Sequence, residues 1–265
     1  MNWMKYRWLY LLISGILIIS GVFSMIKWGF QIGIDFTGGS LLEYRLPDGS
    51  VKTFKEKSID QIKKGEIKAN LEKEVGGTVT EIRFEDVGPT VGPETLKRTI
   101  YALLISTAAI LFWIAYQFKN LKFGISATLA TLHDSLILIG AFSILGHFLG
   151  AEVDFLFVTA LLTILSFSVH DTIVVFDRIR EMRKKDYRRI SELADEAISE
   201  TMVRSINNSF TIIFMLLALI LLGGDTIRWF AVALLIGTIS GTYSSPFVAV
   251  SILVTWDEIQ KRVKK

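Results

Sequence analysis

The chain has 265 residues, 51% of them hydrophobic, and a formal charge of only +3. It contains no cysteine, which excludes disulfides, thiol catalysis and thiolate metal sites. The apolar excess lies in long runs, as a membrane protein requires, and the basic residues form short blocks beside those runs rather than the continuous basic face that nucleic acid needs.

Six runs reach the roughly 20 residues that a helix needs to cross about 30 Å of hydrocarbon. They fall near residues 8–26, 99–118, 123–148, 155–176, 205–224 and 229–255. The first is longer than a signal-peptide core and no Ala-x-Ala site follows it, so it reads as a retained helix. Lys5 and Arg7 precede the first run, and Lys119 and Lys122 lie between the second and third. Arg178, Arg180, Arg183, Lys184, Lys185, Arg188 and Arg189 follow the fourth, and Lys261, Arg262, Lys264 and Lys265 end the chain. The opposite short loops carry almost none, so both termini and the loop after the fourth helix are expected in the cytoplasm.

The chain therefore divides into an N-terminus and first helix (1–28), an extracytoplasmic α+β domain (29–98), and five further helices (99–265). A cytoplasmic loop and amphipathic helix are expected at about 178–205. In the small domain, "IDFTGGSLLEYRL" reads as a strand bent or bulged by its glycine pair, and "PDG" as a turn. A helix follows with Ser58 as N-cap and Ile59, Ile62, Ile67 and Leu71 on one face. "VTEIRFEDV" alternates like a half-buried strand.

Ionisable residues inside the apolar runs are costly and mark function. Asp171 lies six residues before Asp177 at the end of the fourth run, roughly 9 Å deep at about 1.5 Å per residue. His170 is a second titratable group beside it. His133 and Asp134 repeat the dipeptide near the middle of the third run. Asp177 and Glu181, among arginines, read as interfacial ion pairs. Ile190, Ala194, Ala197, Thr201 and Arg204 share a helical face with Ser191 as its N-cap, which would carry Arg204 toward Asp171. Asn207, Asn208 and Ser209 could line a polar entry for water. Gly237 and Gly241, with Ser240, Ser244 and Ser245, make a small-xxx-small seam for close packing, against the fourth helix or against a partner half. Ser166 and His170 share a face at i, i+4, and interhelical hydrogen bonding accounts for such a pair better than hydrolase chemistry.

Five motifs occur in order: "GIDFTGG" at 33–39, "VGPTVG" at 87–92, "HD" at 133–134, "HDTIVVFDRIRE" at 170–181 and "GTYSS" at 241–245. Together they resemble the SecD/SecF family, the accessory membrane proteins of the Sec protein-export machinery, and the small outer domain is similar to that of the SecF branch. The resemblance implies an RND-like six-helix bundle, one half of a proton-coupled unit with SecD. It implies the SecYEG translocon and a translocating preprotein as further partners. It also implies a proton relay at Asp171 and Arg204, with His170 beside it, and His133 and Asp134 in support. Gly33, Asp35, Phe36, Gly38, Gly39, Gly237 and Gly241 carry structural roles in this reading. The expected setting is the lipid of a bacterial or archaeal cytoplasmic membrane. The energy source is the proton gradient, with no cofactor, metal or enzymatic reaction. The alternative is half of a generic RND-type exporter of lipids or drugs.

Overall fold

The computed structural model describes residues 1–118 and 120–263; Lys119, Lys264 and Lys265, used above for orientation, lie outside them. In chain order the elements are α1 (Arg7–Trp28), entered through a 3-10 turn (Trp3–Tyr6), then β1 (Gln31–Ile32), α2 (Ile34–Thr37), β2 (Gly39–Arg45) and β3 (Val51–Glu56). Next come α3 (Gln61–Val75), β4 (Thr80–Val87), α4 (Val91–Phe118), α5 (Leu121–Leu149), β5 (Glu152–Val153), α6 (Phe155–Lys185) and α7 (Ile190–Leu222). Last, α8 (Asp225–Ser244) runs through a π turn (Ser245–Ala249) into α9 (Val250–Val263). Among the described residues six helical stretches are long and apolar enough to cross a membrane, with α8, the π turn and α9 forming the sixth. The chain divides into two compact units, one made of Met1–Gln31 with the chain from Leu103 onward, the other of Ile32–Ala102.

The smaller unit is α+β. β2 is the centre of an antiparallel sheet in the order β3-β2-β4. The "PDG" turn closes the β2–β3 hairpin through Gly49 N–H to Leu46 O at 2.9 Å. Leu42, Tyr44, Ile59, Leu71 and Val79 form its core. The sequence reading needs four corrections here. Residues 34–37 form a single helical turn, not a strand, so Asp35 and Phe36 lie in α2. The irregularity lies opposite Glu43 and Tyr44, where β4 carries an extra residue, Ile82, and not at the glycines. The α3 N-cap is Asp60, which accepts from Lys63 N–H at 2.8 Å, not Ser58. Ile62 points away from the core and is exposed.

The glycines of the first two motifs have a shared explanation. Gly38 and Gly39 have φ of +73° and +115°, which favour glycine. A Cβ on Gly92 would lie 2.3 Å from Gly38 N, and one on Gly38 would lie 3.1 Å from Gly88 O. "GIDFTGG" and "VGPTVG" thus meet backbone against backbone, and no side chain fits between them.

In the larger unit, α5, α6 and α8 are the buried helices, while α1, α4 and α7 keep most of their surface outside the protein. Phe118, Phe123 and Phe176 cluster at centroid distances of 5.3–5.9 Å at the end where α6 leaves the apolar belt, with Phe176 edge-on to the other two rings. The sequence reading placed a loop at residues 178 onward and a separate amphipathic helix before the fifth span. Instead α6 continues to Lys185 and α7 runs unbroken from Ile190, leaving a four-residue link. The extensions hold because Ile179 is buried among Ile190, Ala194, Ala197 and Ile198, and because Arg178 donates to Glu200 across the pair at 2.5 Å. Ser191 is inside α7, whose N-cap is Arg189.

Candidate functional site

The two intramembrane His–Asp pairs lie in different surroundings. Asp134, on α5, has no exposed surface. Ser168 Oγ on α6 donates to its Oδ2 at 2.5 Å. Ser240 and Ser244 on α8 donate to its two oxygens, each at 2.6 Å. His133 Nδ1 lies 3.1 Å from Oδ1. Three helices are therefore tied to one carboxylate. Such a cage satisfies the acceptor sites that would otherwise make a carboxylate intolerable in hydrocarbon.

Local structure explains how α8 reaches this point. Ser240 and Ser244 are one helical turn apart and so share a face. Gly237, on the same stripe, packs against Ile164: a Cβ there would lie 2.0 Å from Ile164 Cδ1. At Gly241 the nearest atom, Ser168 Cβ, is 3.4 Å away. The glycine seam thus packs against α6 within this chain. Just beyond it, Pro246 sits in the π turn, a wide turn that suits a residue without an N–H. There Ser245 Oγ lies 3.0 Å from Thr172 Oγ1.

Asp171 is buried, at 6% exposure, but more sparsely served. Ser205 Oγ on α7 donates to its Oδ2 at 2.9 Å. Arg204, the residue before Ser205, and His170 are within electrostatic range. Among the described residues no ion pair joins Arg204 to Asp171. The α7 face is buried from Ile190 to Thr201 as its spacing suggested, but Arg204 itself is exposed. It lines a polar cavity of about 430 Å³ with Val174, Asp177, Arg178, Glu181, Glu200 and Thr201. Asp177 and Glu181 are ion-paired with Arg180 and Arg178, each at 2.9 Å. Ser209 is buried and bonded by Thr242 at 2.7 Å, whereas Asn207 and Asn208 are exposed. Ser166 and His170 are both on the exposed face of α6.

Sequence reasoning missed two features. It gives Ser168 no role and reads Ser240 and Ser244 as packing residues, although two serines one turn apart in a span were a usable signal. It also read the basic blocks only as orientation signals. Arg7 makes a bidentate pair with Glu258 at 2.6 and 2.7 Å, and Lys122 bonds Asp257 at 2.6 Å. Both acids belong to α9.

Six apolar helices around buried carboxylates define a multi-pass membrane protein with ionisable groups held inside the bundle. A family model described as "Protein export membrane protein SecD/SecF, C-terminal" matches residues 67–259. The protein translocase subunit SecF of Thermobaculum terrenum is 39% identical, with 96% of this chain and 93% of that one covered. That of Anaerolinea thermophila is 37% identical over 97% and 94%. The crystal structure of SecDF, a translocon-associated membrane protein, from Thermus superposes with a TM-score of 0.87 at 29% identity. It covers 97% of this chain and 39% of that longer one. A second SecDF structure, in a super-membrane-facing form, gives a TM-score of 0.78 at 28% identity, covering 100% and 40%. The chain belongs to the SecD/SecF family, on its SecF branch.

Proposed function

We propose that this subunit forms one six-helix half of a proton-driven motor, joins SecD as the other half, and promotes preprotein movement through SecYEG. Its energy comes from the proton gradient, without a cofactor and without enzymatic chemistry. The observation that carries the reading is Asp171: a buried carboxylate with one hydroxyl donor, Ser205, whose chain neighbour Arg204 lines a polar cavity. Burial disfavours the charged form and a nearby guanidinium favours it, so a modest movement of α7 would decide whether the proton stays. One charge crossing 100 mV releases about 2.3 kcal/mol, so a few protons could drive a domain motion. His170 lies beside the carboxylate on the exposed face, in line with Thr159, Thr163 and Ser166. That polar stripe in an apolar belt supports a protein neighbour there, SecD in this reading, rather than lipid. The positive-inside pattern supports cytoplasmic termini, with the smaller unit on the far side of a cytoplasmic membrane.

The test is an export assay in cells depleted of the protein. Complementation by Asp171→Asn should insert normally and lose the proton-dependent part of export. Arg204→Ala should share that defect, Arg204→Lys should keep part of the activity, and the double mutant should be no worse than either single one. Normal export with Asp171→Asn would reduce the subunit to a scaffold, and additive partial defects would make Arg204 an independent anchor.

A further inference from the structure

A cavity of about 320 Å³ lies between α7, α8 and the π turn, and reaches Val175 of α6. Met202, Ile206 and Ile213 of α7 line it together with Ile239 and Phe247. The hydroxyls on its wall all donate elsewhere. Thr201 donates to the Ala197 carbonyl at 2.8 Å and Ser205 to Asp171 at 2.9 Å. Thr242 donates to Ser209 at 2.7 Å and Tyr243 to the Tyr10 carbonyl at 2.8 Å. A water held in a cavity needs about two to four polar partners, and apolar cavities stay dry. This one suits an apolar occupant.

Its place in the bundle says which. Ile206 and Ile239 are 36% and 52% exposed, and α7 keeps most of its surface outside the protein, so the cavity opens sideways on hydrocarbon. From Thr201 to Ile213 it follows α7 for roughly 18 Å, at about 1.5 Å per residue. One leaflet supplies about 15 Å of the roughly 30 Å hydrocarbon core, so the cleft is about as long as a lipid chain is deep. It is too narrow for a helix, which is about 10 Å across with its side chains and would displace several times the available volume over that length. The SecD neighbour proposed above lies elsewhere: His170 and Val175 are about 140° apart around the α6 axis.

We propose that this cleft is a lipid site that seats one acyl chain of a bilayer lipid, held by its length and apolar lining rather than by a head group. Ser205 is on the cleft wall and is also the donor to Asp171. A seated chain therefore packs on the turn of α7 that serves the buried carboxylate. Export is not part of the argument, so failure of the proton-coupled reading would leave the site standing.

The experiment is photolabelling of the full-length protein in phosphatidylcholine nanodiscs doped with the same lipid carrying a diazirine midway along one chain. Adducts are mapped by peptide mass spectrometry. Phe112 and Trp113 of α4, 74% and 58% exposed, report ordinary boundary lipid. Adducts on α7 between Met202 and Ile213 should exceed those on α4 several-fold and should saturate as the probe fraction rises, whereas α4 labelling grows in proportion. Ile239→Trp and Ile206→Trp fill the mouth of the cleft from an exposed position, and each should lower the α7 adducts several-fold while α4 labelling, a check on folding, stays the same. Moving the diazirine chain to phosphatidylglycerol should change nothing, and adding SecD should leave the α7 adducts in place. Equal labelling of α7 and α4, or full α7 labelling in both tryptophan variants, would overturn the proposal. A clear preference for the phosphatidylglycerol probe would put recognition in the head group instead, and loss of the adducts on adding SecD would give the cleft to that partner; either result also sinks the acyl-chain site.

Discussion

Asp134 and Asp171 both follow a histidine, both lie inside an apolar helix and both are buried, yet the bundle treats them differently. Asp134 receives three hydroxyls from two other helices, whereas Asp171 receives one, from α7. The first sits among helices that are buried on most sides; the second faces a helix that keeps most of its surface outside the protein. The dipeptide therefore does not encode a role by itself. The donors supplied by neighbouring helices separate a carboxylate held by three hydroxyls from one held by a single hydroxyl.

The largest effect that would test this contrast is on stability at Asp134. At about 0.6 kcal/mol per intramembrane hydrogen bond, Asp134→Ala should cost about 2 kcal/mol for its four contacts. For a chain of this size that lowers the melting midpoint in detergent by roughly 5 °C. Asp134→Asn, which keeps an acceptor, should lose less. An alanine variant that melts with the unsubstituted protein would show that the cage does not hold the helices.

Next comes the seam beside the cage. Gly237→Ala forces Ile164 out of place and should cost about 1 kcal/mol or somewhat more by overpacking, whereas Gly241→Ala should be tolerated within about 0.5 kcal/mol. Equal melting of the two variants would mean that α8 and α6 are not in the close contact described. Smaller still, Asp171→Asn removes at most one hydrogen bond and should shift melting by about 2 °C or less, even where it abolishes proton-driven export. A stability loss matching that of Asp134→Ala would erase the distinction between the two sites.

The smallest effect belongs to the link between α6 and α7. Asp186 accepts from the Arg188 backbone N–H at 2.9 Å and from its guanidinium, which hold its carboxyl below the usual carboxylate range. A depressed folded value contributes stability above the unfolded pKa of about 4 and loses it as pH falls through the folded one. Asp186→Asn should therefore melt slightly lower than the unsubstituted protein at neutral pH, with the gap closing in acid. The group is exposed, so a large gap would implicate the link in holding the bundle.

Much of this was legible from residues alone, because hydropathy reports transfer into lipid and glycine reports close backbone approach. The six spans, the α8 glycines and the acids at 134 and 171 could all be read that way. Helix ends could not. Hydropathy falls at Asp177, where the apolar belt ends, but the α6 backbone has no reason to stop there. Residues 34–37 were misread because Ile, Phe and Thr favour strands, while the contact of Gly92 with Gly38 sets the local backbone. The serine cage needed three helices in register, which no single stretch of sequence contains.

The π turn at residues 245–249 has a consequence for insertions and deletions. A π turn holds one residue more than an α turn, so it works as a gear tooth between α8 and α9. Deleting one residue there would restore regular winding and rotate everything beyond it by about 100°. Ser240 and Ser244 lie before the tooth and would stay on Asp134, while Asp257 and Glu258 lie after it and would swing away from Lys122 and Arg7. The turn thus sets the angular phase between the polar centre of the bundle and the charged girdle at its end, and a length change of one residue would put the two out of step.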